Sequence, residues 1–415
     1  MKVAKVYDGL SIQLRICMKS KKTSRRAFLS AGLILPVAGV GARMGLASTE
    51  AGLLNSPEGR IEEAHASPAG FPMRTLGRTG LKVTPLGFGG GFTADTSVVE
   101  RAVDLGINYF DTARAYLQGN NERLMGIALG PKRKQIVLST KSKASDKAAA
   151  LKDLETSLRE LKTDYVDIWY CHDKPSPDNV TDGMLEAHVT AKQQGKIRFS
   201  GLSTHANQQQ MLPWMAKNGF FDVVMTGYNF SMDSTAAQAI DIAAKAGIGI
   251  VAMKVMAGGF RSLKPSDPIY SKFKKDGAHL AALKWAMGRP NIATTVPGMT
   301  DMDQLDENFQ AMSMPFSPSD EKLLDAHLEL IKPLYCRMCG QCEGACQQGL
   351  PVADVLRYLT YADGYRQFAM ARENFQQLPA AHRAVRCGDC ADCTVQCPHG
   401  VRVSGRMARA QELFA

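Results

Sequence analysis

Gly106-Ile107-Asn108-Tyr109-Phe110-Asp111-Thr112-Ala113-Arg114-Ala115-Tyr116 sets a turn glycine, a short β-rich run and a terminal acid in close succession. The same grammar recurs along the chain. β-Rich runs are expected at 83–88, 107–110, 136–139, 165–170, 197–200, 223–225, 248–252 and 292–296. Amphipathic stretches of helical length lie between them, among them 148–161, 184–194 and 235–246, and another follows the last run at 302–310. Eight such runs, each followed by a helix, predict an α/β fold, a (β/α)8 TIM barrel over residues 71–330. Residues 73–84, with Gly77 and Gly80 among alternating side chains, predict a hairpin that closes the barrel floor. Leu86-Gly87-Phe88-Gly89-Gly90-Gly91 raises a dinucleotide-fold alternative, but it lacks the glycine spacing and acidic partner of that unit.

Eight of the ten cysteines form two matching runs near the C-terminus. Cys336, Cys339, Cys342 and Cys346 make one C-x2-C-x2-C-x3-C run, and Cys387, Cys390, Cys393 and Cys397 make the other, closed by Pro398. Thiolates at every third position can wrap three corners of an iron–sulfur cube, and the fourth commonly ligates the other cube. The expected sets for two [4Fe-4S] clusters are Cys336, Cys339, Cys342 with Cys397, and Cys387, Cys390, Cys393 with Cys346. Structural zinc needs only four ligands per metal, and disulfides need only pairs; two full runs favour cubes. Gln347 stands where a proline would close the first run. Residues 331–415 are therefore expected to form a helix-rich ferredoxin-type domain that moves electrons one at a time. Helical spacing at 354–361 and 365–376 separates the two runs. Arg337, Arg357, Arg366, Arg372, Arg383 and Arg386 offer either a docking face for an acidic redox partner protein or plain solvated helix faces.

The hydrophobic fraction of 45% and charged fraction of 22% are those of a globular protein. A net charge of +10 loses its force once located. Residues 1–47 hold nine Lys and Arg against Asp8 alone, which leaves +2 for residues 48–415 and excludes a nucleic-acid surface reading. Thr23-Ser24-Arg25-Arg26-Ala27-Phe28-Leu29, followed by an apolar stretch too short to span a membrane, resembles a twin-arginine export signal. Cleavage is expected after Ala47, translation from Met1 or Met18, and a flexible linker over 48–70. The mature chain is expected outside the cytoplasm, periplasmic and without a transmembrane segment. Export in the folded state would carry clusters out shielded, where free thiols would otherwise oxidise.

Active sites of such barrels lie at the C-terminal ends of the strands. Asp111, Tyr116, Lys141 and His172 fall there. These four resemble the catalytic set of the aldo-keto reductase family, and the carbonyl reduction that the resemblance implies needs hydride at carbon and a proton at oxygen. Tyr116 would give the proton, Lys141 would favour its phenolate, Asp111 would hold Lys141, and neutral His172 would bond the substrate oxygen.

The stretch quoted at the outset resembles the signature of the aldo-keto reductase family. Leu138-Ser139-Thr140-Lys141 is similar to that family's lysine strand and Asp167-Ile168-Trp169-Tyr170-Cys171-His172 to its histidine strand. The resemblance covers about 71–315, and a barrel followed by a two-cluster C-terminus is similar to one subgroup. It implies a small-molecule carbonyl or alcohol substrate and an NADP(H) or NAD(H) site. Ser203 would then bond the nicotinamide amide, with Gly298, Glu307 and Asn308 around the adenine end. The family's amide-binding glutamine corresponds to Met225 or, if the strand is shifted, Asn229. Its ring-stacking tyrosine corresponds to Met253, with Lys254 beside it to meet a pyrophosphate or to stand in a pocket that has lost the nucleotide. The grip on a 2′-phosphate falls on Gly298 and Gln304. His205, two residues after Ser203, faces a ligand or is structural. The function expected is an exported iron–sulfur oxidoreductase that interconverts a carbonyl and an alcohol; the alternative is an electron-transfer or docking protein with a catalytically retired barrel.

Overall fold

A computed structural model describes residues 72–259 and 264–415. The leader and linker expected at 1–47 and 48–70 lie outside the described residues. Eight parallel strands form one sheet: β3 (Phe88–Gly89), β4 (Tyr109–Asp111), β5 (Val137–Ser142), β6 (Val166–Cys171), β7 (Ile197–Thr204), β8 (Val223–Gly227), β9 (Gly249–Met253) and β10 (Thr294–Thr295). Parallel bridges Leu86↔Thr295 and Gly89↔Gly298 join its two edges into a barrel.

Closure corrects the expected first strand. Val83 belongs instead to a two-stranded antiparallel hairpin, β1 (Arg74–Thr75) with β2 (Lys82–Val83), where it pairs with Arg74. Pro85 has no N–H to give a ladder, so the chain rejoins the sheet through its carbonyl, which accepts from Thr295 N at 2.9 Å. The hairpin plugs the floor: Leu76, Leu81 and Val83 pack with Tyr109, Val137, Ile168 and Val251. Gly77, at φ +52, passes so near Gly249 that a Cβ would stand 2.3 Å from its nitrogen.

Helices Lys147–Glu160, Asp182–Gln193, Ser234–Lys245 and Met302–Ala311 lie close to their expected places. Their starts follow from Asp146, Thr181, Asp233 and Asp301, whose side chains accept first-turn amide hydrogens.

Helix Pro318–Ile331 leads into the cysteine-bearing segment, where helices Val352–Asp363, Phe368–Gln376 and Val403–Phe414 build a second core around Leu359, Phe375, Met407 and Phe414. Several cysteines of both runs pack against that core. This segment lies on the C-terminal rim of the barrel. Gln209 Nε2 donates to Cys339 O at 2.6 Å, and Asn229 Nδ2 to Tyr335 Oη at 3.0 Å. Gly364 approaches so closely that a Cβ would lie 2.1 Å from Gly258 O. Among the described residues no helix is long and apolar enough to cross a membrane.

Candidate active site

Strand register sets the site. Asp111 pairs with Ser139, and Lys141 with Tyr170 two residues before His172, so the ends of β4, β5 and β6 share one rim. Lys141 Nζ donates to Asp111 Oδ2, to Thr112 O at 2.8 Å and to Tyr116 Oη at 3.2 Å. Ser139 Oγ donates to Asp111 Oδ1 at 2.7 Å. The Tyr116 ring meets His172 edge-on, centroids 5.9 Å apart. The four expected residues are thus brought together.

Burial decides their protonation. It raises the Tyr116 phenol well above its usual value, and the negative charges of Asp111 and Asp173 add to this. Burial also pulls Lys141 down, against the opposing pull of Asp111. The expected lowering of Tyr116 by Lys141 is therefore outweighed: Lys141 spends its charge on Asp111, and Tyr116 stays a neutral donor. His172 is held well below its usual value by burial and by Lys141, so its imidazole is neutral.

A cavity of about 460 Å³ opens over this rim, reached by Asp111, Tyr116 and His172 from the barrel. Its other wall comes from the cysteine-bearing segment as Arg357, Tyr361 and Tyr365. This corrects both readings of Arg357, as part of a docking face and as part of a solvated helix face. It is buried, donating to Asp173 Oδ2 at 2.8 Å and to Asp354 Oδ1 at 2.9 Å. Although burial alone would raise Asp173, the Arg357 guanidinium beside it holds its carboxyl far below the usual range. His205 lines the cavity.

The residues expected at a nucleotide divide. Lys254 and Gly298 line the cavity, as do Met225 and Met253. Ser203 Oγ accepts from Asp173 N at 2.9 Å. Asn229 turns away, its Nδ2 donating to Lys254 O and Tyr335 Oη. Glu307 accepts from Lys274 Nζ at 3.1 Å and faces His279 Nε2 at the same distance. Asn308 is buried with its Nδ2 unpartnered. Ser203 and Asn229, expected at the nicotinamide amide, and Glu307 and Asn308, expected at the adenine end, lie off the cavity wall, whereas Gln304, expected at the 2′-phosphate, lines it.

The cysteines gather across the two runs. Cys336, Cys339, Cys342 and Cys397 line one small cavity of about 20 Å³. Burial raises the Cys387 thiol, and Cys346, Cys393 and Cys390 nearby raise it further. All nine described cysteines are free thiols. Among the described residues no three His, Cys, Asp or Glu side chains converge on a position for a single metal ion. Cys171 stands apart, buried, its thiol pushed up to about 12, with Sγ 3.4 Å from His188 Nε2.

The loop after His172, expected from the sequence to line the substrate entrance, does reach the cavity through Asp173, whereas sequence reasoning missed Tyr361 and Tyr365 as walls of the site. Only the pairing of Asp173 with a basic residue of the last helices could have flagged them.

The family model described as "Aldo/keto reductase family" matches residues 91–329. An uncharacterized oxidoreductase of Bacillus subtilis is 28% identical over 301 residues, 61% of this chain and 95% of that protein. L-Galactose dehydrogenase of Arabidopsis thaliana is 28% identical over 58% of this chain and 88% of its own length. The holo form of an aldo-keto reductase from Bacillus halodurans superposes with a TM-score of 0.53 at 27% identity, over 62% of this chain and 96% of that one. With a rim that joins Asp111, Lys141, Tyr116 and His172, and with this match over more than half its length, the chain belongs to the aldo/keto reductase family and is an oxidoreductase of that type.

Proposed function

We propose that the barrel interconverts a small-molecule carbonyl and its alcohol in the cavity above β4–β6. The observation that carries this is the 3.2 Å hydrogen bond from Lys141 Nζ to Tyr116 Oη, at a cavity wall shared with His172. Tyr116 holds the proton destined for the carbonyl oxygen, Lys141 fixes its hydroxyl, and Asp111 keeps Lys141 in place. Neutral His172 orients the substrate oxygen. Measuring turnover of a carbonyl panel before and after Tyr116→Phe tests the assignment, because that change removes one oxygen and little packing.

The cysteine quartets fit [4Fe-4S] clusters. The first would be held by Cys336, Cys339, Cys342 and Cys397, which share a cavity, and the second by Cys387, Cys390, Cys393 and Cys346. When bound, such clusters supply and accept single electrons. Export by the twin-arginine route to an extracytoplasmic compartment, and a redox partner protein that exchanges electrons there, complete the reading. Met225 and Met253 on the cavity wall favour a second reading, a barrel that retains its tetrad without turnover. Intact clusters together with no activity on any carbonyl would select it.

A further inference from the structure

Lys254 is the feature of the cavity that this chemistry leaves unused. It directly follows β9 with φ +57, a conformation that a non-glycine residue keeps only when its surroundings impose it. Here its carbonyl accepts from Asn229 Nδ2 at 3.0 Å and from Ala257 N at 3.1 Å. The side chain is thereby directed to the cavity wall, where Nζ lies 4.4 Å from the Tyr361 ring centroid and 5.3 Å from that of Tyr365. Among the described residues no carboxylate reaches it within ion-pair distance; the nearest negative influence is Asp173, already taken by Arg357. The titratable groups facing it are Arg357, Tyr361 and Tyr365 from the last helices, Asp173 after β6 and His205 after β7. Burial, with repulsion from Arg357, pushes its ammonium down to about 7, so near neutral pH it can give up a proton.

We propose that Lys254 is a second proton donor of this cavity, acting with Tyr116, and that the substrate is a quinone-type dicarbonyl. This rests on the reading of the cysteine quartets as one-electron carriers. A lone carbonyl resists one-electron reduction because the added electron stays on a single C=O group. A ring-conjugated dicarbonyl spreads it, and accepts electrons singly from reduced iron–sulfur carriers. The balance is two electrons and two protons per molecule. Each carbonyl oxygen gains one O–H bond as its C=O becomes C–O and the ring becomes aromatic. Tyr116 Oη gives one proton and Lys254 Nζ the other, and both recover theirs from water. Phe92, Tyr361 and Tyr365, packed on one another, give the cavity an aromatic wall against which a flat ring can lie.

The competing role for Lys254 is a clasp that holds the last helices by its contacts with the two tyrosines. Lys254→Arg separates the two roles, since arginine keeps the cation over the rings and does not deprotonate. The test uses iron-loaded full-length protein, a reduced viologen dye as electron source, and tetramethyl-para-benzoquinone, whose ring positions are blocked against amine addition. In the wild type the rate should fall above about pH 7. Lys254→Arg should lower kcat by about 10²-fold or more and abolish that fall. Competitive acetylation read by mass spectrometry should label Lys254 at neutral pH ahead of the surface lysines, and the quinone should protect it. Unchanged rate and pH profile in Lys254→Arg, or slow unprotected labelling, assign the clasp. Turnover of simple aldehydes without turnover of the quinone overturns the substrate class. If Tyr116→Phe keeps full quinone turnover, the underlying reading of the cavity falls; if it loses turnover while Lys254→Arg does not, only the second donor falls.

Discussion

Arg357 donates to Asp173 Oδ2 at 2.8 Å, and this contact ties a helix of the cysteine-bearing segment to the residue that follows His172. The pair makes the last helices part of the cavity wall rather than an appended module. Arg357 is 8% exposed and Asp173 22%, so solvent screens the pair little.

Asp173→Asn should expose the cost of leaving Arg357 half-paired. Removing one partner of a buried pair costs about 3 kcal/mol. Because the folded-state pKa of Asp173 is depressed, its contribution is complete above the unfolded value of about 4 and is lost as pH falls through the folded value. Urea titrations should therefore show a constant penalty for Asp173→Asn between roughly pH 5 and 8, and a shrinking one below about pH 4.

Tyr116→Phe should lower kcat by about 10²–10⁴-fold, the range of a positioned general acid, and added substrate should not repair the loss. Circular dichroism of the variant should match the wild type, since the phenol oxygen has its contact with Lys141 and no part in the sheet.

Anaerobically purified protein should hold about eight iron and eight sulfide per chain. The crossed sets make a sharper claim. Cys336→Ser with Cys397→Ser should cost one cluster, leaving about four iron, whereas Cys336→Ser with Cys346→Ser should cost both. Uncrossed sets would reverse these two results.

Replacing Arg25 and Arg26 by Lys keeps the charge of the leader but not the guanidinium geometry. A precursor should then accumulate in the cytoplasm, visible as a band of higher mass on a blot of cell fractions. Continued export of the double variant would point to a general secretion signal.

The alternation of β-rich runs and amphipathic stretches determined the barrel, because strand and helix each impose a short period on their own residues. For the same reason the side chains that meet at the rim were legible: Asp111, Lys141 and His172 sit at or just after the ends of successive strands, and parallel pairing brings those ends together. The cysteine runs were legible from spacing alone. Tertiary structure decided what no local period encodes. It seated Arg357, Tyr361 and Tyr365 on a cavity whose other wall lies some two hundred residues earlier in the chain. It turned Asn229 from an expected ligand contact into a brace for Tyr335 and Lys254. It also outweighed the expected lowering of Tyr116, since a pKa depends on how deeply a group and its neighbours are buried, and burial is a property of the packed chain.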